Sequence, residues 1–133
     1  MAHGRSTMIM DMTPLIFPTD LKRAVQFYTD VLGFVEAYVG EDFAELKSGN
    51  QTLILHADKG LDDKAYEQEL HGHKRGVGVN LAFEVTDVGR YYKRIVEEAG
   101  APLEQELAPT PWGTRRFTVR DPDGVHLSFF SYE

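Results

Sequence analysis

Apolar positions along this chain repeat one plan twice. After Thr19-Asp20, residues Leu21, Ala24, Val25, Tyr28, Val31 and Leu32 recur at helical spacing up to Gly33. After Thr86-Asp87, residues Val88, Tyr91, Tyr92, Ile95, Val96 and Ala99 do the same up to Gly100. The two copies lie 67 residues apart. Asp20 and Asp87 suit the start of a helix, where a carboxylate accepts bonds from unpaired backbone N–H groups. Gly33 and Gly100 suit its end, where the chain turns left-handed. Two such helices at half-chain spacing predict a duplicated unit.

Strand-like stretches surround each helix. The first copy reads 15–18 before its helix, then 34–39, 43–47 and 52–57 after it. The second reads 77–85, then 103–107, 114–120 and 125–131. Turns are marked by Gly40-Glu41-Asp42, Gly49-Asn50 and Asp121-Pro122-Asp123-Gly124. The pattern predicts an α+β fold, one domain over 1–133, built from two tandem βαβββ modules with curled mixed sheets. Module one covers about 12–57 and module two about 77–132. A polar linker, 58–76, carries a short helix around 62–70.

Alternation within strands assigns faces. Val77, Val79, Leu81, Phe83 and Val85 form one apolar row expected to pack under a helix, as do Val125, Leu127 and Phe129. Asn80, Ala82 and Glu84, with His126, Ser128 and Phe130, point the other way. If each sheet curls, these second faces line a cavity.

Composition narrows the function classes. Apolar residues make up 42% and charged residues 26% of 133, values that exclude disordered, collagenous and coiled-coil chains. Cysteine is absent, which removes disulfides, thiolate metal sites and a cysteine nucleophile. No apolar run approaches the roughly 20 residues that span a bilayer, so the expectation is a cytoplasmic protein without a membrane partner. A net charge of −7 repels phosphate backbones and argues against nucleic acid as a partner.

The repeated strand–helix–three-strand unit resembles the vicinal oxygen chelate superfamily, which includes glyoxalase I, extradiol dioxygenases and antibiotic-binding proteins. The matching text runs from Asp20 through Phe27-Tyr28 to Gly33-Phe34, then Glu41-Asp42-Phe43-Ala44, Pro111-Trp112-Gly113 through Phe117, and Arg120 through Gly124. It is most similar to bleomycin resistance proteins. The resemblance implies a metal site in the enzymes, with His, Glu or Gln side chains donated from four strands. Those positions fall here at Thr13, His56, Asn80 and Ser128. Only His56 is a good ligand, whereas a transition metal needs at least three protein donors. The expectation is therefore no metal, no cofactor and no catalytic residue. The alternatives are a lyase, isomerase or dioxygenase recruiting His56, Glu84 or His126 as atypical ligands, and a ligand-binding domain of unassigned role.

The remaining histidines carry less. His71-Gly72-His73 sits in the polar linker and is expected as an exposed loop, and His3 belongs to the N-terminus. No Ser-His-Asp arrangement appears, and Gly76-Val77-Gly78-Val79 lacks the third glycine of a dinucleotide fingerprint.

The resemblance implies instead that aromatic walls sandwich a flat part of a drug. Trp112, the sole tryptophan, lies in a proline-flanked loop, and Tyr38 and Phe43 flank the turn after the first helix. The candidate binding residues are Trp112, Tyr38, Phe43, His56, Asn80, Ser128, His126, Phe130, Glu84 and Asp42, with Glu41 beside the last. The acids and the negative charge favour a cationic guest. The resemblance also implies a homodimer with each pocket between two chains and N-terminal strands exchanged. The expected function is sequestration of a flat cationic molecule, such as a bleomycin-type antibiotic, conferring resistance.

Overall fold

The computed structural model describes residues 8–133. The expectation for His3 falls outside them. Module one runs β1 (Leu15–Ile16), α1 (Leu21–Gln26), β2 (Val35–Val39), β3 (Phe43–Ser48) and β4 (Gln51–His56). The linker carries α2 (Lys64–Gly72). Module two runs β5 (Asn80–Glu84), α3 (Val88–Tyr92), β6 (Leu103–Pro109), β7 (Thr114–Arg120) and β8 (His126–Tyr132).

The duplication is visible bond by bond. Asp20 Oδ1 accepts from the Arg23 N–H, and Asp87 Oδ1 accepts from the Arg90 N–H, each at 3.1 Å. Both helices then widen into a π-helical segment, Phe27–Val31 and Lys93–Glu98. The uniform α-helical periodicity did not foretell this widening. Its signature is the i→i−5 bond from Leu32 N–H to Phe27 O and from Ala99 N–H to Arg94 O. Each helix closes when the residue after its terminal glycine bonds back, Phe34 N–H to Tyr28 O and Ala101 N–H to Ile95 O. Gly33 holds φ of 93° and Gly100 of 75°, the left-handed conformation that this closure requires.

Each module folds into an open four-stranded sheet, ordered β1-β4-β3-β2 and β5-β8-β7-β6. In both, the first strand runs parallel to the last, and the others pair antiparallel. One face of each sheet packs on the helices. Ala44, Leu46, Leu53 and Leu55 fill this side in module one, and Phe117, Val119, Leu127 and Phe129 fill it in module two. All eight are nearly inaccessible to solvent, so the core is continuous beneath both helices. Truncating Leu46, Leu53, Leu55 or Leu127 to alanine costs about 2–5 kcal/mol by cavity formation.

One row was expected to be longer. Leu81, Phe83 and Val85 pack against the core, but Val77 and Val79 are 71% and 56% exposed. Gly76 at φ 76° and Gly78 at φ 88° interrupt the extended backbone, so the strand begins only at Asn80. The linker helix also reaches further than expected. His71 lies in its last turn rather than in a loop, with Nε2 2.9 Å from Asp58 O. Arg75 fastens this region by donating to Phe17 O at 2.6 Å, Leu70 O at 3.0 Å and Asp58 Oδ2 at 2.9 Å.

The modules are clasped through buried polar groups. Tyr28 Oη donates to Asp121 Oδ2 at 2.8 Å, and Asp121 Oδ1 accepts from the Asp123 and Val125 N–H groups. Burial raises both the phenol of Tyr28 and the carboxyl of Asp121. Asp123 in turn accepts from the Thr19 hydroxyl at 2.6 Å. From the other side, Tyr91 Oη donates to Leu32 O at 2.7 Å, joined there by Arg94 at 3.1 Å. Each module's helix is thus tied to the other module's turn or helix end.

Candidate functional site

The sheet faces turned away from the helices carry the candidate chemistry. In module one, cross-strand register sets Tyr38 beside Glu45, Phe43 beside His56, and Leu15 beside Ile54. The outward rings form a continuous row. Tyr38 and Phe43 centroids lie 5.0 Å apart, Phe43 and His56 6.3 Å apart and nearly parallel at 11°, and His56 and Phe17 5.8 Å apart. Phe17 continues to Tyr66 of α2 at 5.5 Å, edge to face. Gly40 makes the near end possible, because a Cβ there would lie 2.7 Å from the Tyr38 hydroxyl. Tyr38 is 51% and Phe43 39% exposed, so this apolar area faces solvent and can receive a flat molecule. Asp42 and Glu41 are exposed in the turn leading into Phe43.

The far end of the row opens into a hollow of about 480 Å³. Phe17 and Tyr66 line it together with Thr13, Leu15, Arg75 and Leu81. It lies where the β1 segment, α2 and the approach to β5 meet, so both modules contribute to it.

His56 has a defined tautomer. Nδ1 stands 2.7 Å from Ala57 O, and a carbonyl oxygen only accepts, so Nδ1 carries the hydrogen. In the neutral ring, Nε2 is then the acceptor.

Module two presents different chemistry. Ser128 Oγ donates to Asn80 Oδ1 at 3.0 Å and lies 2.9 Å from Thr118 Oγ1, which lies 3.3 Å from Gln105 Oε1. Gln105, Thr118, Ser128 and Asn80 therefore form a polar row across all four strands. Thr118 and Ser128 are each 2% exposed, while Asn80 and Gln105 close the ends in solvent. His126 sits beside Asn80 on one side and Arg120 on the other. Arg120 holds Glu104 through two bonds, at 2.6 and 3.0 Å, and this keeps the Glu104 carboxyl below its usual range. Phe130 lies between Glu84 and Arg116 in register and meets Tyr132 edge to face at 6.0 Å.

Trp112 stands in the β6–β7 turn of this second sheet and is 64% exposed. The Arg116 guanidinium covers its ring at 5.7 Å. Within one chain, then, Tyr38, Phe43 and His56 come together, and Asn80, Ser128, His126, Phe130 and Glu84 share a second face. Trp112 belongs to that second sheet and contributes no ring to the aromatic row. Sequence reasoning missed Phe17, Tyr66, Gln105, Thr118 and Arg116. Alternation through Thr114, Arg116, Thr118 and Arg120 would have given the β7 residues; nothing in the sequence signalled that α2 would bring Tyr66 to Phe17.

The donor set does not fit a transition metal. Asn80 Oδ1 and Ser128 Oγ are engaged with each other, Thr13 lines the hollow with a neutral hydroxyl, and His56 offers one nitrogen. Among the described residues, no three His, Asp or Glu side chains converge. None of the helices among them is long and apolar enough to cross a membrane.

Comparison with known proteins agrees with this architecture. Residues 9–129 match the sequence profile described as Glyoxalase/Bleomycin resistance protein/Dioxygenase superfamily. No curated protein matches the chain. Among solved structures, TioX from Micromonospora sp. ML1 is similar at 25% identity, with 94% of this chain and 100% of that one covered and a TM-score of 0.70. Lactoylglutathione lyase from Agrobacterium tumefaciens is similar at 22% identity, with 96% and 98% covered and a TM-score of 0.69. A glyoxalase/bleomycin resistance protein/dioxygenase family enzyme from Burkholderia phytofirmans PsJN is similar at 22% identity, with 91% and 97% covered and a TM-score of 0.71.

Proposed function

Since the chain belongs to the Glyoxalase/Bleomycin resistance protein/Dioxygenase superfamily, we propose that it binds and sequesters a flat small molecule without altering it. A bleomycin-type antibiotic is the example, and lowering its free concentration would confer resistance. The observation that carries this reading is the solvent-facing row Tyr38–Phe43–His56–Phe17, leading into a hollow of about 480 Å³. A planar heteroaromatic group laid on that row gains roughly 0.5–1.5 kcal/mol per ring pair beyond area burial. Glu41 and Asp42, beside Phe43, support a positively charged group at that end.

The binding unit in this reading is a homodimer. Each sheet has two free edges, and Met8, Ile9, Met10 and Met12 ahead of β1 are 67–92% exposed. Pairing this segment with a second copy would cover it. A partner's second sheet set opposite the aromatic row would bring a tryptophan over the guest, which one chain alone does not do.

The test is titration with bleomycin while Trp112 fluorescence is followed, then recovery of the drug. The expected result is saturable quenching with the drug recovered intact and a protein mass of two chains. No binding across a panel of flat cationic drugs would remove the reading. A second reading, metal-assisted lyase or isomerase chemistry, is favoured by one observation, the acceptor Nε2 of His56, which has no hydrogen-bond partner among the described residues. Stoichiometric transition metal in protein purified without chelator would select it.

A further inference from the structure

Two arginines on the open side of β7 are treated differently. Arg120 is spent on Glu104 in a two-bond ion pair. Arg116, four residues earlier on the same face, makes no ion pair and donates no hydrogen bond among the described residues. It is nevertheless held in place. Its Cα pairs with Phe130 on one side and Ala108 on the other, it is half-buried, and its guanidinium rests on the Trp112 ring at 5.7 Å. A guanidinium has five N–H donors in a rigid fork whose geometry matches a carboxylate. Stacked on an indole, that fork is oriented before any ligand arrives, so less side-chain freedom remains to be lost on binding.

The fork borders a cleft of about 150 Å³, lined also by Gln105, Thr110 and Pro111. Glu106 is the acid lining this cleft, and it stands beyond ion-pair distance of Arg116. The volume suits a small polar group, with the rest of a planar molecule left to lie on the exposed indole.

We propose that Arg116 is an anion-recognising group of the second sheet, taking a carboxylate carried by a planar guest that stacks on Trp112. The assignment rests on the flat-guest reading and adds an acidic end to a molecule expected, from the net charge and the acids near the pocket, to carry a positive charge. Arg116 acts as a specificity determinant. It separates guests with a carboxylate from otherwise identical guests without one.

The experiment uses isothermal titration of the full chain with three probes that share one ring system: naphthalene-2-carboxylate, naphthalene-2-carboxamide and 2-naphthylmethylammonium. The carboxylate should bind about tenfold more tightly than the carboxamide, the usual gain from a charge-assisted two-bond contact. Arg116→Gln should bring carboxylate affinity down to that of the carboxamide, and an unchanged urea denaturation curve shows that the variant is folded. Arg116→Lys should keep part of it, because a lysine supplies charge without the fork. In the wild type, added salt should weaken the carboxylate and spare the carboxamide. If carboxamide and carboxylate bind the wild type equally, or Arg116→Gln leaves the carboxylate unaffected, Arg116 has no such role and the flat-guest reading still stands. If none of the three binds, the Arg116 assignment falls, and the flat-guest reading is decided separately by the drug titration.

Discussion

Module one and module two start their helices with the same bond at the same length, end them with the same glycine, and widen them at the same turn. They then differ in where their strands set most of their stacked rings. Module two stacks Phe117 on Phe129 at 5.4 Å and Phe129 on Phe83 at 5.2 Å, against Tyr91 and Tyr92, all on the helix side. Its open face carries the polar row Gln105, Thr118, Ser128 and Asn80, with Phe130 and Tyr132 beyond one end. Module one fills its helix side with alanine and leucine and leaves Tyr38, Phe43 and His56 on the open face. Duplication preserved the scaffold, whose caps and glycines obey backbone geometry. The open faces, which the scaffold does not constrain, diverged into one surface for flat contact and another for hydrogen bonding.

That contrast can be broken most forcefully in the cores. Phe129→Ala should lower unfolding free energy by about 3–5 kcal/mol, measured by urea denaturation, since its ring is 2% exposed and stacked on two others. Phe43→Ala should change stability by about 0.5 kcal/mol or less. It should weaken a bound planar guest by up to about tenfold, the loss of one stacked pair. Comparable destabilisation by both would mean that the module-one ring belongs to the core.

The buried phenols sharpen the clasp between modules. Burial pushes Tyr91 up to about 12 from 10.0, and raises Tyr28 further, with the Asp121 charge adding to it. Both groups hold their proton longer folded than unfolded. Their stabilising contribution is therefore complete below about pH 10 and is lost as pH rises, for Tyr91 between about 10 and 12. Stability should fall above pH 10 by at most about 1.4 kcal/mol per pH unit for each group. Tyr91→Phe should make that slope shallower in denaturation curves recorded across the range. An unchanged slope would mean the phenol ionises freely in the native protein.

The smallest effect should be the most symmetric. Asp20→Ala and Asp87→Ala each remove one capping bond and should each cost about 1 kcal/mol by urea denaturation. Clearly unequal costs would show that the shared geometry hides unequal energetics.

The scaffold was largely readable in the sequence because local rules set it. Asp20 and Asp87, Gly33 and Gly100, and period-two alternation placed three of four strands in module one and two of four in module two to within one residue. Val77 and Val79 misled because alternation alone does not register the positive φ of the two glycines between and before them. The open faces were readable in part. Phe43 and His56 were candidates from the outset, but their alignment depends on β3–β4 register, a tertiary property. Tyr66 was invisible because its approach to Phe17 depends on tertiary contacts, among them those of Arg75 with Phe17 O and Asp58. The role of Arg116 was not legible because it lies in the absence of an ion-pair partner among the described residues, and partners cannot be counted from a sequence.

The claim that the open faces hold the guest is tested most directly by NMR chemical-shift mapping with saturating bleomycin. The account predicts the largest changes at Tyr38, Phe43, His56 and Phe17 and at the Trp112 indole N–H. Changes confined instead to the cleft between α1 and β2, at Leu21, Gln26, Glu36 and Val39, would contradict it.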